Sequence, residues 1–268
     1  MDRELQRAEA DLLRTEEFER WALEVTSTRV EPFPWGVAFF NDDHALRFDS
    51  NLVWIDRPLH GVQVATLASE IEQVMRGCRH REARILDESD GTRVALGLAE
   101  LGYAGDHLVV MAHRRMPDRP AEPGVVEEVD LEAIRPFLIE AAEREPSGKE
   151  PGVAEALAEY RSVLVDSVGC RFFVQRVGGR IVGACDLYGR PGVSQVESVV
   201  TLEEFRGLGV ARNVVLEAVR EARAGSADLI FLLADLNDWP RRLYGRLGFD
   251  EVGRSWAFTK WPDAAPPP

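Results

Sequence analysis

Two short blocks in the C-terminal half of the chain carry residues that can do chemistry. The first is Arg206-Gly207-Leu208-Gly209-Val210-Ala211. It follows a β-branched run, Val199-Val200-Thr201, and opens a helical pattern through Val214, Val215, Ala218 and Val219. Strand, glycine turn and helix start together make an anion site. Glycine lets backbone N–H groups approach a phosphate, and the helix N-terminus adds partial positive charge. The pattern predicts a seat for the diphosphate of a nucleotide-bearing cofactor, against the simpler reading of a tight turn with no ligand. The second block begins at Asn237 and runs to Tyr244-Gly245-Arg246-Leu247-Gly248-Phe249.

Two familiar phosphate motifs do not fit. A P-loop needs Gly-Lys-Ser/Thr, and here Val210 and Ala211 follow Gly209. A dinucleotide fingerprint needs three glycines and an acid near the end of the next strand. Here Ala211 and Arg212 follow, and the next apolar strand, Leu229 to Leu233, is too far downstream. The detailed pattern Arg-x-x-Gly-x-Ala, carried by Arg206, Gly209 and Ala211, resembles the Q/R-x-x-G-x-G/A loop of the GNAT superfamily of acetyl-CoA-dependent N-acetyltransferases. Asn237, seven residues before Tyr244 in "LYGRLGF", resembles that superfamily's N…LY…LGF segment. The resemblance covers about Val125 to Trp261.

The resemblance implies an α/β fold, an α+β mixed sheet, and assigns roles along it. The backbone of Val199, Val200 and Thr201 would pair with the pantetheine arm of acetyl-CoA. The amides of Gly207, Leu208, Gly209, Val210, Ala211 and Arg212 would cradle its diphosphate. Arg206 either adds charge there or is a solvated surface arginine. Tyr244 is the candidate acid for the departing sulfur, with a packed core tyrosine as the alternative. Glu197 is the candidate base, acting directly or through water, while Glu203 and Glu204 read as solvated. Asn237 contacts the cofactor or caps the following helix, since Asp238-Trp239-Pro240 also resembles a helix start. The implied reaction moves an acetyl group to a primary amine of a small molecule, in preference to a protein amine. A different acyl group or a thiol-precursor acceptor stays open. So does a non-catalytic acyl-CoA sensor or interaction module.

The elements that must position these residues follow from periodicity. The predicted helices are 2–24, 62–77, 92–101, 131–142, 153–167, a stretch from the glycine loop to about Arg223, and 240–247. The predicted strands are 36–40, 45–48, 52–55, 83–86, 108–113, 125–129, 195–201, 229–233 and 251–259, plus a hairpin of 171–177 and 181–188 across Gly178-Gly179. Asp42-Asp43 marks a further hairpin turn. Met116–Gly124 holds three prolines and a glycine and reads as a linker. The tail, 262–268, reads as disordered. Shifted by 146 positions, the first half lies on the second: His60–Ala65 falls on Arg206–Ala211, Val53–Ile55 on Val199–Thr201, and Leu101–Tyr103 on Leu247–Phe249. Two tandem GNAT-like domains follow, 1–115 and 125–261, joined at 116–124. The first is degenerate, because Gly209 becomes Gln63, Tyr244 becomes Leu98, Glu197 becomes Asn51, Arg206 becomes His60 and Asn237 becomes Gly91.

Bulk properties bound the partners. The 268 residues suit two ordinary domains, and a formal charge of −14 would repel nucleic acid. The three cysteines are odd in number, which argues against a disulfide framework, and the five histidines make no HExxH pattern, so no metal is expected. No apolar run reaches the roughly 20 residues of a membrane helix. The charged N-terminus is no signal peptide, so the expected location is cytoplasmic with no membrane partner. A homodimer stays open.

Overall fold

The computed structural model describes residues 2–145 and 147–261; the tail 262–268 lies outside the described residues. In chain order the elements are α1 (Asp2–Thr26), β1 (Arg29–Phe33), β2 (Gly36–Phe40), β3 (Leu52–Ile55), α2 (Val64–Val74), β4 (Arg81–Ile85), α3 (Glu88–Glu100) and β5 (Ala104–His113). Then follow β6 (Val126–Val129), α4 (Leu131–Arg144), α5 (Val153–Glu159), α6 (Arg161–Val168), β7 (Arg171–Val177), β8 (Arg180–Arg190) and β9 (Val193–Thr201). The last are α7 (Val210–Ala224), β10 (Leu229–Asp235), α8 (Pro240–Leu247) and β11 (Phe249–Lys260). The fold is mixed α/β. No helix of the described residues is long and apolar enough to cross a membrane.

Contacts divide the chain into two compact units. One gathers Leu23–Val109, Asp235–Asn237 and the residues from Arg254. Its strand order is β1-β2-β3-β4-β11-β5. The pairs β1–β2 and β2–β3 are antiparallel, β3–β4 is parallel, and β11 runs antiparallel to β4 from Trp256↔Ile85 to Lys260↔Arg81. The C-terminal strand therefore completes this unit. Phe258 lies in its core with Val53, Ile55, Leu67, Ile71, Ile85 and Leu98, and Lys260 Nζ donates to Glu72 Oε1 at 2.8 Å.

The other unit holds the residues up to Ala22, Val110–Ala234 and Asp238–Gly253. Its strand order is β11-β5-β10-β9-β8-β7-β6. Continuous buried runs, Ile181–Leu187 on β8 and Leu229–Leu232 on β10, bury both faces, as a central strand requires. Helix α7 lies on this sheet because Val210, Val214, Val215, Ala218 and Val219 recur at helical spacing and are buried. Helix α1 inserts Phe18 edge-on to Phe231, ring centroids 5.5 Å apart. Its Asp11 accepts from Arg114 Nη2 at 2.6 Å.

Several elements differ from the sequence reading. β1 was not expected, because Glu31-Pro32 breaks its pattern; an edge strand bonded on one side tolerates a proline there, and Pro32 sits opposite Val37. Residues 45–48 are not a strand. Asp42–His44 and Phe48–Ser50 are 3-10 turns, closed by bonds from His44 N–H to the Asn41 carbonyl at 3.2 Å and from Asn51 N–H to the Phe48 carbonyl at 2.9 Å. The expected helix 153–167 breaks at Tyr160, whose carbonyl takes a tighter i+3 bond from Val163 N–H at 3.0 Å. Met116–Gly124 is irregular, as its composition predicts. Val64 opens α2 and Val210 opens α7, 146 positions apart.

Gly183 on β8 sets how closely α7 and β9 approach. A Cβ there would lie 2.4 Å from Val210 Cγ1 and 2.9 Å from the Val200 carbonyl oxygen. Gly183→Ala is expected to cost about 1–3 kcal/mol in a urea melt; an unmoved midpoint would mean that the strand has room to give.

Candidate active site

The site is built where two parallel strands part. β9 pairs with β10 at Val193↔Leu229, Ser194↔Ile230 and Gln195↔Phe231, and the pairing ends there although both strands continue. On its other edge β9 pairs with β8 at Asp186↔Glu197 and Ala184↔Val200. Ser198 and Val199 thus share the single position opposite Cys185, a β-bulge. Ser198 takes φ +52°, in the left-handed region that favours glycine. Parting and bulge together free backbone groups of Val199–Thr201 from the ladder.

Beyond β9 a 3-10 turn, Glu203–Phe205, leads into the glycine loop. Gly207 and Gly209 have φ +79° and +85°, and a Cβ at either would meet no atom within 4 Å. Glycine is needed here for its dihedral, and the space beside it is open. The first bond of α7 runs from Asn213 N–H to the Gly209 carbonyl at 3.0 Å. The N–H groups of Val210, Ala211 and Arg212 therefore have no intrahelical acceptor. No side chain caps them and no acidic residue stands in the first turn. The helix end keeps its positive partial charge for a ligand.

A pocket of about 440 Å³ opens at this point. Val199, Val200, Thr201, Arg206, Gly207, Gly209, Val210, Ala211, Arg212 and Tyr244 all line it. Thr201 Oγ1 is buried without a hydrogen-bond partner. Arg206 is exposed and has no ion-pair partner among the described residues. The Arg212 guanidinium turns away from the loop: Nη1 donates to the Arg119 carbonyl at 2.9 Å and pairs with Asp118 at 2.7 Å. Arg212 thus offers the loop its backbone. Three expected residues stand apart. Leu208 is 68% exposed and is not among the lining residues. Asn237 is not among them either; its N–H donates to Asp235 Oδ1 at 2.6 Å, and helix α8 starts at Trp239 with no side-chain cap. Glu197 is also absent from the lining. Its Oε2 accepts from Gln195 Nε2 at 2.8 Å and its Oε1 from Ser198 N–H at 3.2 Å.

Tyr244 sits on the short helix α8, buried, with its ring centroid 6.2 Å from that of Phe249. Burial, then the charges of Glu197, Cys185 and Asp238, pushes its hydroxyl well above the ordinary tyrosine range. It holds its proton throughout the neutral range and can only give it up to a strong base. Sequence reasoning missed Arg119, Glu145, Trp239 and Arg246, which also line the pocket. Arg246 was legible two positions after Tyr244, and Trp239 as an apolar residue, 58% exposed, just before Pro240. Arg119 gave no signal, since it lies in the irregular proline-rich stretch. Among the described residues no group of three or more His, Cys, Asp or Glu side chains could hold a metal ion.

Residues 135–249 match the family model described as acetyltransferase (GNAT) family. That stretch is similar to the GNAT family. The GNAT match runs from α4 to the start of β11 and contains the parted strand, the glycine loop and Tyr244. Solved structures share the fold over most of the chain. A functionally unknown conserved protein from Staphylococcus epidermidis is 14% identical with TM-score 0.68, covering 88% of this chain and 94% of its own. A GCN5-related N-acetyltransferase from Kribbella flavida is 19% identical with TM-score 0.61, covering 94% and 95%. A GCN5-related N-acetyltransferase from Sphaerobacter thermophilus is 20% identical with TM-score 0.54, covering 77% and 71%. No curated protein sequence matches the chain significantly.

The glycine loop gives a direct test. Gly209→Ala forces a Cβ residue to φ +85°, which costs about 1–2 kcal/mol or tilts the loop. Calorimetry with coenzyme A is expected to show binding weakened about tenfold, on the scale of one displaced charge-assisted hydrogen bond. Unchanged affinity would remove the loop from the binding site.

Proposed function

We propose that this protein is an acetyl-CoA-dependent N-acetyltransferase acting on the primary amine of a small molecule. The observation that carries the reading is a convergence in one pocket: the buried, protonated Tyr244, the unpaired N–H groups opening α7, and the freed backbone of Val199–Thr201. The residues present fit the co-substrate. The open space beside Gly207 and Gly209 suits a diphosphate approaching the loop backbone. The orphaned Thr201 hydroxyl and the strand backbone suit the amide-bearing pantetheine arm.

Each residue then has a task. An amine of pKa near ~10 arrives charged at neutral pH and must lose a proton before it attacks. Glu197 receives that proton through an intervening water, since its carboxylate is held beside the pocket by Gln195 and Ser198 N–H. The amine nitrogen bonds to the thioester carbon, and a backbone N–H near Val199 stabilises the oxyanion that forms. The carbon–sulfur bond breaks as the oxyanion collapses; Tyr244 passes its proton to the departing sulfur while taking up the proton that the new amide nitrogen sheds, so the phenol ends neutral. The acceptor amine is a cation in solution, which the net charge of −14 favours.

The domain reading belongs to the same proposal: a catalytic GNAT domain at 125–261, a degenerate one at 1–115 and the stretch 116–124 between them. The proposed setting is cytoplasmic, without nucleic acid or membrane partner. Calorimetry with acetyl-CoA, followed by a free-thiol assay over an amine panel, tests the function. Binding without thiol release from any amine would instead support an acyl-CoA sensor.

Two variants test the roles. Tyr244→Phe is expected to lower kcat by about 10²-fold while acetyl-CoA affinity stays within a factor of about three, because the ring's packing is kept. Since burial raises the Tyr244 pKa, the rising limb of the pH–rate profile belongs to the base, and no fall from the phenol is expected below roughly pH 10. Glu197→Gln should abolish that rising limb. A profile identical to the parent's would exclude Glu197 as the base.

A further inference from the structure

The bulge of β9 is held by a buried charge pair from a helix that contributes nothing to the pocket lining. Arg161 opens α6 and is buried. Its Nε lies 2.8 Å from Asp186 Oδ2, with side-chain exposures of 8% and 1%. Its Nη2 donates to Ser198 Oγ at 2.8 Å. Asp186 stands on β8 directly opposite Glu197, and Ser198 is the residue in the left-handed region. One guanidinium thus ties the strand on one side of the bulge to the strained residue within it.

A serine at φ +52° persists only where its surroundings over-determine the conformation. Without an anchor, the strained bulge opens more often, and Val199 and Val200 lose their fixed place beside β8. The planar guanidinium suits the anchoring, because it offers separate donors to a carboxylate and a hydroxyl in fixed geometry. A buried ion pair does little for stability that apolar residues would not do as well, so its use here is to select one backbone conformation.

We propose that Arg161 is a positioning residue which, through Asp186 and Ser198, locks the β9 bulge and so holds the Val199 backbone toward the reacting thioester. The catalytic half of this inference rests on the acetyltransferase reading; the conformational half does not.

Removing Arg161 alone strands a buried carboxylate and invites misfolding. Two gentler variants serve. Ser198→Gly loses the hydroxyl but accepts the positive φ without strain, so its melting temperature should hold or rise. Arg161→Met combined with Asp186→Leu removes both charges and fills the space. In each, hydrogen exchange at the Val199 and Val200 amides, measured without any substrate, should quicken about tenfold or more. Thiol release should lose about tenfold or more in kcat, with KM for acetyl-CoA within about threefold. Unchanged exchange in both variants overturns the lock. Faster exchange with parental kcat overturns the positioning role and leaves a structural fastening. A parent protein that neither binds acetyl-CoA nor releases thiol overturns the acetyltransferase reading instead, and the exchange data alone then decide the lock.

Discussion

The parting of β9 from β10 after Gln195 is the constraint from which the site follows. Backbone N–H and C=O groups taken out of a ladder cost about 1–3 kcal/mol each if they are buried and unpaired. A protein keeps such a gap only if other contacts hold both strands apart. Here the bulge diverts β9, the Arg161–Asp186 pair fixes the bulge, and the bare backbone of Gly183 lets Val210 pack against β8. The buried valines of α7 then fasten the helix whose free end faces the gap. The unpaired groups and the unspent helix terminus lie in one pocket because a single chain segment, strand to loop to helix, carries both.

Electrostatics sharpens the same arrangement. The protein is strongly acidic, yet the first turn of α7 has no carboxylate to neutralise its N-terminus. Glu204 is drawn off to Arg144, 2.8 Å away, which holds its carboxyl at about 2, well below the usual range. Asp118 is taken by Arg212. Negative charge is thus tied up in ion pairs around the loop, while Arg206 remains free to meet an anion. Tyr244 shows the opposite use of burial. Taking the phenol out of water removes its option of ionising, which keeps it the neutral donor that the proposed transfer calls for.

Much of this was legible in the sequence because the relevant signals are local. Gly207 and Gly209 announce positive φ, the valine spacing announces α7, and "LYGRLGF" announces α8 with its left-handed Gly248 stop. What could not be read is set by distant partners. Ser198 is an ordinary residue until Arg161, 37 positions earlier, donates to it. Pro32 hides β1 because a local rule against proline cannot know that the strand is an edge. The amide of Arg212 is legible as part of the loop, but nothing local shows that Arg119 and Asp118 claim its guanidinium. Composition marked 116–124 as irregular without revealing that Glu122 N–H would bond to Asn213 Oδ1 at 3.0 Å, lying along α7.

The 146-residue offset also locates what separates the two halves chemically. Gln63 stands where Gly209 does, but with φ −74° and ψ 142° its backbone is extended, and it cannot form the left-handed turn that presents the loop amides. Asn51 stands where Glu197 does and is spent on structure: its Oδ1 accepts from Asn41 N–H at 2.9 Å and its Nδ2 donates to the Arg47 carbonyl at 2.9 Å. Leu98, in place of Tyr244, offers only packing to its core. The pocket that reaches His60 measures about 160 Å³, against about 440 Å³ at the glycine loop. No single substitution accounts for this. The dihedral, the residues proposed as acid and base, and the volume differ together, so restoring Gly at position 63 would change only the first of them.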